Sequence, residues 1–267
     1  MTPDRALILA AGRGSRLSAL TAERPKCLVP FQGRALLDWQ MKALRRIGID
    51  EIHVVRGYRG ELLEGCGVRL WDNPAWDSSN MVYSLFCASP VLRDDEPLLI
   101  TYGDVIYEPR VLREMFATRG DLLVAVNRQW RPLWEERMAN PLDDVETLRI
   151  SSNGDLTDIG RKAASLDEID GQYMGLVAVT PAGLKSMIRF YETSPDEANW
   201  MTGRNKRTCY MTDLLRGLIS AGVAATAAPV NGGWLEFDTP EDLGCYERLA
   251  RSGDLKQFFD TGEAGGW

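Results

Sequence analysis

Apolar residues form short runs in the first half of the chain, and between these runs they recur at helical spacing. A short continuous apolar run is typical of a buried strand, whereas spacing at i, i+3 and i+4 is typical of an amphipathic helix. The runs predict strands at 6–10, 51–55, 68–71, 98–102 and 122–126, and the periodic segments predict helices at 35–47, 81–88 and 109–118. This repeated order predicts an α/β fold with a mixed, mostly parallel sheet and helices on both faces.

The second half of the chain is more mixed, and it predicts a small β-rich insertion. Ser152-Asn153-Gly154 is typical of a hairpin turn. The remaining elements are expected to be strands at 173–180, 225–230 and 234–238, and helices at 211–221, from Pro181 and from Thr239. We therefore expect one domain over 1–250, with 128–175 as its β-rich subregion, and a glycine-containing, loosely held C-terminal tail over 251–267.

Composition and charge narrow the classes of function. The 267 residues are 45% hydrophobic and 26% charged, with a net charge of −7, which argues against broad binding to nucleic acid or to anionic membranes. No apolar run approaches a membrane helix, and the N-terminus is unlike a signal peptide. Five widely spaced cysteines predict reduced thiols in a cytoplasmic protein. The single histidine, His53, lies inside a strand, which excludes a mechanism built on histidine relays.

A loop with two glycines follows the first predicted strand. Residues 9–17 read Leu-Ala-Ala-Gly-Arg-Gly-Ser-Arg-Leu, and Arg-Pro-Lys follows at 24–26. Gly12 and Gly14 have no side chains, so backbone N–H groups can approach an anion closely. Positive charge is added by Arg13, Arg16 and Lys26. The loop therefore suits a triphosphate.

Other interpretations of this loop stay open on the residues alone. Gly12 and Gly14 could begin a dinucleotide-binding fingerprint, but Leu17 stands where its third glycine would be, and no acid is well placed about 20 residues later. No Gly-Lys-Ser/Thr follows at the spacing of a Walker loop. An ordinary tight turn explains the glycines equally well.

Taken together, residues 9–17 and 24–26 resemble the signature of the sugar-phosphate and choline-phosphate nucleotidyltransferases. The resemblance implies a Rossmann-like fold of the GT-A type, in which the loop holds the nucleotide phosphates through Ala10, Ala11, Gly12 and Gly14. It implies catalytic roles for Arg13 and Lys26 at the β- and γ-phosphates. The stretches 80–85 and 171–176 look like the branch with choline-phosphate cytidylyltransferase and enzymes acting on phosphonates or phosphorylated glutamine.

Three acidic residues are predicted near the carboxyl edge of the sheet. Asp104 follows the strand at 98–102, and open α/β sheets bind ligands at this edge. Glu236 and Asp238 lie two apart in a predicted strand and so share a face, where paired carboxylates suit a hard divalent cation. An ordinary acid after a strand and a solvated strand edge are the alternatives. The resemblance implies that Asp104 and Asp238 bind Mg²⁺, the expected cofactor, with help from Glu236.

The residues for the base and the reacting phosphates are marked less clearly. Asn80 and Ser84 lie four apart on one helix face and could meet the base or ribose, although capping and packing explain them equally well. The resemblance implies that Lys162 is catalytic and bridges the acceptor phosphate and the α-phosphate. The alternative for Lys162 is an ordinary surface lysine.

The acceptor site is predicted from a loop at 128–137 and from two later residues. Arginines of the loop could bind a phosphonate or carboxylate, and its tryptophans could face a quaternary ammonium, although tryptophans more often pack. Asp213 could receive an acceptor amine, or it could favour the start of the next helix. The predicted acceptor residues are Arg128, Trp130, Arg131, Tyr173 and Asp213, with Trp134 and Arg137 in the same loop.

The predicted function is a magnesium-dependent cytidylyltransferase that transfers CMP from CTP to a small phosphate or phosphonate acceptor and releases pyrophosphate. The acceptor classes are phosphocholine, aminoalkyl or hydroxyalkyl phosphonates, and phosphorylated amino acid amides. The alternatives are a sugar-1-phosphate nucleotidyltransferase using UTP, dTTP or GTP, and a non-catalytic nucleotide-sensing subunit. A glycosyltransferase is disfavoured because Asp104 has no second acid beside it. A homodimer is left open.

Overall fold

The computed structural model describes residues 2–93, 95–197 and 203–262. Its strands, in chain order, are β1 (Arg5–Ala10), β2 (Pro30–Phe31), β3 (Arg34–Ala35), β4 (Glu51–Arg56), β5 (Arg69–Asp72), β6 (Leu98–Tyr102), β7 (Val105–Tyr107), β8 (Leu122–Asn127), β9 (Glu146–Ile150), β10 (Leu156–Lys162), β11 (Gln172–Val179), β12 (Thr226–Val230) and β13 (Trp234–Glu236). Its helices are α1 (Leu36–Arg45), α2 (Met81–Cys87), α3 (Ser89–Leu92), α4 (Pro109–Ala117), α5 (Trp130–Arg137), α6 (Pro181–Thr193), α7 (Met211–Ser220) and α8 (Pro240–Ser252).

Seven strands form the central sheet, in the order β12-β8-β11-β6-β1-β4-β5. Every neighbouring pair is parallel except the two pairs made by β11, which runs antiparallel to β6 and β8. The predicted mixed, mostly parallel sheet is therefore confirmed. Because the parallel strands share one direction, the loops after β1 and β6 meet at the same edge of the sheet.

Both faces of the sheet are covered, as predicted. Along β1, Ala6 and Ile8 point into one hydrophobic core, and Leu7 and Leu9 point into the other. The first core includes residues of α1, α4 and α8, and the second includes residues of α2, α6 and α7. This is why the strand residues form a continuous apolar run instead of alternating with polar ones.

A second, small strand pairing brings the end of the chain to the edge of the sheet. β7 follows directly after Asp104 and pairs antiparallel with β13, with Val105 opposite Glu236. The Phe237 N–H donates to the Asp104 carbonyl at 3.0 Å. This pairing therefore places Asp238 next to Asp104, although the two residues lie far apart in the sequence.

The β-rich insertion consists of the hairpin β9–β10, which packs against α7. Gly154 in its turn has φ +90°, a left-handed conformation that favours glycine. Lys162 at the end of β10 lies directly opposite Glu146 at the start of β9. The predicted hairpin is thus confirmed, and it brings the proposed catalytic lysine beside an acid that the sequence did not single out.

The segment from 128 to 137 was predicted as a loop, and this prediction is wrong. Residues Trp130–Arg137 form α5, with Trp130, Leu133 and Trp134 buried on one face at helical spacing. Pro132 is compatible with this helix because it lies in the first turn, where its missing N–H breaks no intrahelical bond. The helix turns these side chains into the core.

The expectation of a loosely held tail is also wrong over its described part. A short 3-10 helix, Asp254–Gln257, follows α8, and Leu255 and Phe259 are buried. The Phe259 ring packs edge-on against Trp39 with 5.9 Å between ring centroids. Residues 263–267 lie outside the described part of the chain.

The described helices include none long and apolar enough to cross a membrane. All five cysteines are free thiols, as expected. His53 is buried between Glu51 and Trp71, and burial lowers the pKa of its imidazole. This agrees with the structural role predicted for it.

Candidate active site

The loop after β1 forms one wall of a cleft at the carboxyl edge of the sheet. Gly14 has φ +67°, and a side chain there would meet the stem of Lys26 at about 2.9 Å. Glycine is therefore favoured at position 14 for two reasons: the backbone has a positive φ, and the Lys26 side chain passes close by. The cleft has a volume of about 280 Å³ and is lined by Leu9, Ala10, Ala11, Gly12, Gly14, Ser15, Arg16, Lys26, Cys27, Trp76, Ser79, Asn80, Met81, Ser84, Tyr102, Gly103, Asp104 and Tyr210.

An ammonium group bridged by two carboxylates lies at the floor of this cleft. Lys26 Nζ is 2.7 Å from Asp104 Oδ2 and 2.6 Å from Asp238 Oδ1. The three side chains are only 13%, 16% and 10% exposed. Arg16 reaches the same oxygen of Asp238 from the solvent side, with Nη2 at 3.1 Å.

Charge pairing outweighs burial in this cluster. Burial by itself lowers the pKa of the Lys26 ammonium, but the carboxylates of Asp104 and Asp238 raise that pKa above its usual value. Burial by itself raises the pKa of Asp238, but Lys26 and Arg16 hold that pKa below its usual value. At neutral pH the Lys26 ammonium and the Asp238 carboxylate are therefore both charged.

The chemistry of these carboxylates fits a magnesium ion. Asp104 Oδ1 is buried and makes no hydrogen bond, so this oxygen is available to bind an ion. Magnesium is typically held by one or two carboxylates together with substrate phosphates and water. Within the described residues, no three His, Cys, Asp or Glu side chains are grouped as a metal site, so nucleotide oxygens would complete the coordination of any ion held by Asp104 and Asp238.

Glu236 was predicted to join the two aspartates, but it lies against a different partner. Its Oε2 is 3.5 Å from Nη1 of the buried Arg137. Burial and the charge of Asp238 raise the pKa of Glu236 well above its usual range. β13 ends at Glu236, so the rule that alternate residues of a strand share a face does not extend to Asp238.

Arg13 and Arg16 of the glycine loop have different positions. Arg13 is exposed, and its guanidinium lies 5.3 Å from the centroid of the Tyr58 ring. Arg16 lines the cleft and pairs with Asp238. Arg13, which was expected to bind the phosphates, is thus exposed on the loop. Arg16 is the arginine that contacts the acidic pair.

Asn80 and Ser84 both line the cleft. The Asn80 side chain accepts a hydrogen bond from the Met81 N–H at the start of α2, so it is the cap of that helix. The Ser84 hydroxyl is buried, accepts from Asn73 Nδ2 at 2.9 Å and donates to the Asn80 carbonyl. Both residues therefore shape the wall with polar groups that already have protein partners.

A second cavity of about 400 Å³ adjoins the cleft at Tyr210. It is lined by Asp143, Asp144, Val145, Glu146, Gly160, Arg161, Lys162, Arg204 and Tyr210. The Glu146 carboxylate makes no hydrogen bond or ion pair with any described residue, and burial with the charges of Asp213 and Asp144 raises its pKa to about 7. The cavity therefore brings together three acids, Asp143, Asp144 and Glu146, and three cations, Arg161, Lys162 and Arg204.

Of two further predicted acceptor residues, Asp213 lies close to this cavity and Tyr173 lies beside the cleft. Asp213 is buried at the start of α7, where Oδ2 accepts from the Tyr210 N–H at 2.8 Å and lies 3.5 Å from Arg204 Nη1. Asp213 thus caps the helix while its charge acts on Glu146. The Tyr173 ring packs edge-on against Tyr102, which lines the cleft.

The other predicted acceptor residues are not brought to either cavity. Trp130 is 5% exposed and packs edge-on against Trp134 in the core. Arg131 is exposed and pairs with Glu135 one turn along α5. Arg128 lines a separate hollow beside Pro132 and Phe258. The helical conformation of α5, missed in the sequence, accounts for the burial of Trp130.

Sequence reasoning did not single out several residues that line the two cavities. They are Trp76, Ser79, Tyr102, Glu146, Arg204 and Tyr210. The pairing of Lys162 with Glu146 across a predicted hairpin was a signal that could have revealed Glu146. The others come from loops and from elements distant in sequence, for which periodicity gives no signal.

Comparison with known proteins finds relatives that match along most of the chain. The chain is 36% identical over 248 residues to a CTP:phosphoglutamine cytidylyltransferase of Campylobacter jejuni, covering 89% of this chain and 97% of that protein. It is 29% identical over 250 residues to a CMP-5'-(3-aminopropyl)phosphonate synthase of Streptomyces rubellomurinus, covering 90% of this chain but 38% of that longer protein.

A solved structure shares the fold. The inositol-1-phosphate CTP transferase of T. maritima superposes with a TM-score of 0.71 at 18% identity, covering 97% of this chain and 99% of that one. Residues 6–163, more than half of the chain, match the MobA-like NTP transferase domain. The matched segment contains the glycine loop, Lys26, Asp104 and Lys162. The chain therefore belongs to the family of MobA-like NTP transferases.

Proposed function

We propose that the protein is a cytidylyltransferase that transfers CMP from CTP to a small phosphate or phosphonate acceptor. The observation that carries the proposal is the Lys26–Asp104–Asp238 cluster, which lies at the floor of a cleft walled by a glycine loop. The names of the two sequence relatives, which specify a cytidylyl transfer and a CMP-phosphonate product, support CTP as the nucleotide.

The reaction joins two anions, so the protein's task is to neutralise charge and align the reactants. An oxygen of the acceptor phosphate or phosphonate attacks the α-phosphorus of CTP. The new phosphorus–oxygen bond forms as the bond to the β-phosphate breaks, and pyrophosphate leaves. No covalent intermediate with the protein is needed.

Several groups near the cleft have a part in this scheme. Backbone N–H groups of the loop at Gly12 and Gly14 bind the phosphates, with Arg16 and Lys26 opposing the charge of the leaving pyrophosphate. Asp104 and Asp238 would hold Mg²⁺, which supplies positive charge to the phosphate oxygens. Lys162, at the boundary of the second cavity, would orient the acceptor phosphate.

The second cavity supports an acceptor that carries a cationic group. Glu146 is a poorly solvated carboxylate, Asp144 lies in the same wall, and the charge of Arg204 offsets the repulsion from Asp213 and Asp144 only in part. A protonated amine would relieve the repulsion among Glu146, Asp144 and Asp213, while a phosphate faces Lys162. The acceptor is thus proposed to be a zwitterion with one phosphoryl and one ammonium end.

Pyrophosphate release with magnesium tests the proposal. The assay crosses CTP, UTP, GTP and dTTP with phosphoglutamine, phosphocholine, 2-aminoethylphosphonate and glucose 1-phosphate. A matched acceptor, 2-hydroxyethylphosphonate, differs from 2-aminoethylphosphonate only at the amine. We expect release with CTP and an amine-bearing acceptor. Release only with glucose 1-phosphate and UTP or dTTP would transfer the protein to the sugar-phosphate branch.

A further inference from the structure

The backbone at Asp238 is fixed by hydrogen bonds to a nearby carboxylate. The N–H groups of Asp238 and Thr239 both donate to Asp242 Oδ2, at 3.0 and 2.9 Å. Thr239 in turn accepts from the Asp242 N–H, so Asp242 and Thr239 form a capping box at the start of α8. The position of Asp238 therefore depends on where the Asp242 carboxylate lies.

Asp242 differs from an ordinary helix-capping acid because it is buried. Its side chain is 4% exposed, so water does not satisfy its remaining charge. Arg137, whose side chain is 1% exposed, meets it with two hydrogen bonds, Nε to Oδ1 at 2.8 Å and Nη2 to Oδ2 at 3.3 Å. A guanidinium fork of this kind fixes a carboxylate in direction as well as in distance.

Arg137 is itself held firmly at the end of α5. Its guanidinium lies 4.7 Å from the centroid of the buried Trp134 ring, and its Nη1 is 3.5 Å from Glu236 Oε2. It thus contacts two acids, Glu236 and Asp242, that flank Asp238 in sequence. Arg137 lines neither the cleft nor the cavity beside it, so it has no route to a substrate.

We propose that Arg137 is a positioning residue for the metal-binding aspartate Asp238, acting through Asp242. The inference rests on the proposed function, because it assumes that Asp238 binds a metal ion with the nucleotide. The fork orients Asp242, Asp242 fixes the backbone at Asp238 and Thr239, and the Asp238 carboxylate is thereby aimed at the site that Lys26 occupies.

Three variants isolate this role. Arg137→Met removes the guanidinium, and Arg137→Lys keeps a positive charge but loses the fork. Arg248→Met is the matched control, because Arg248 also links α8 to α5, through Glu136 at 3.2 Å, but is 57% exposed. Thermal melting and circular dichroism establish that each variant is folded.

The informative measurement is Mn²⁺ binding to the protein–CTP complex by electron paramagnetic resonance, with CTP affinity measured separately in the presence of EDTA. Loss of a partner that orients a metal ligand typically weakens metal binding about 10- to 100-fold. We expect that loss in Arg137→Met, a smaller loss in Arg137→Lys, and unchanged Mn²⁺ binding in Arg248→Met. CTP affinity without metal should remain within about twofold of wild type in all three.

Two results would overturn the role of Arg137. One is a folded variant, either Arg137→Met or Arg137→Lys, that binds Mn²⁺ as wild type does. The other is an equal loss of CTP and Mn²⁺ affinity, which is what general loosening of the fold produces. If Arg137→Met does not fold, Arg137→Lys decides. A wild-type protein that binds CTP but no Mn²⁺ overturns the metal site of the proposed function instead, and the two failures are thereby distinguished.

Discussion

Replacing Lys26 by methionine tests the cluster at the floor of the cleft most directly. The substitution keeps the length of the side chain and removes the ammonium that bridges Asp104 and Asp238. Removing one partner of a buried ion pair costs about 3–5 kcal/mol. Arg16 remains 3.1 Å from Asp238 but is 64% exposed, so its compensation is partial.

The expected loss in the free energy of unfolding is therefore near the lower end of that range, about 3 kcal/mol at pH 7. For a chain of this size a loss of that order lowers the Tm by roughly 6–12 °C. Lys185→Met is the control, because Lys185 pairs with Asp95 on the surface, where both side chains are more than 70% exposed. That substitution should change the free energy of unfolding by less than about 1 kcal/mol.

The difference in stability between wild type and Lys26→Met should depend on pH in a direction that the two pKa shifts determine. The pKa of Asp238 is lowered in the folded protein, so its contribution is present above the pKa of an unfolded aspartate and is lost as the pH falls through the folded-state pKa. The pKa of Lys26 is raised, so its contribution persists throughout the neutral range. The stability gap between wild type and Lys26→Met should be widest near pH 7 and should narrow in acid.

Divalent cations provide the second readout on the same variant. With the ammonium gone, Mg²⁺ added without nucleotide should raise the Tm of Lys26→Met more than that of wild type, since Asp104 and Asp238 are then free to bind it. Differential scanning fluorimetry with and without Mg²⁺ at pH 7, and without Mg²⁺ in a pH series that extends below the usual aspartate pKa of about 4, measures all of these effects. A variant as stable as wild type at pH 7, with no response to Mg²⁺, would refute the reasoning.

Four further substitutions follow from the site. Asp104→Ala and Asp238→Ala should abolish turnover in proteins that remain folded; an active Asp104→Ala enzyme with unchanged magnesium dependence would contradict the metal assignment. Lys162→Ala should lower the single-turnover rate more than CTP affinity, and the reverse pattern would rule out its proposed role. Glu146→Gln should raise the KM for an amine-bearing acceptor. Because burial raises the pKa of Glu146 to about 7, the fold loses stability progressively as the pH rises from the pKa of an unfolded glutamate, about 4, to about 7, and the full cost remains at higher pH. Unfolding at pH 8 should thus show Glu146→Gln to be more stable than wild type, by up to about 3 kcal/mol, with no difference near pH 4.

The sequence by itself determined the architecture, and it predicted the edge of the sheet at which the candidate site lies. Apolar runs and helical periodicity gave the main strands and helices to within a few residues, because buried strands and amphipathic helices leave local patterns. The loop at Gly12 and Gly14, and Asp104 after β6, followed from the rule that ligands bind at the carboxyl edge of such a sheet. These inferences need only neighbours in sequence.

Only the tertiary structure decided which charges meet. Lys26 contacts Asp104 and Asp238 across 78 and 212 residues, because β7 pairs with β13 at the end of the sheet. Arg137, expected in a loop facing the acceptor, is turned inward by α5 to meet Asp242, 105 residues away. Side-chain periodicity is a local property and carries no information on such pairings. They depend on the order of strands in the sheet and on which faces the helices bury.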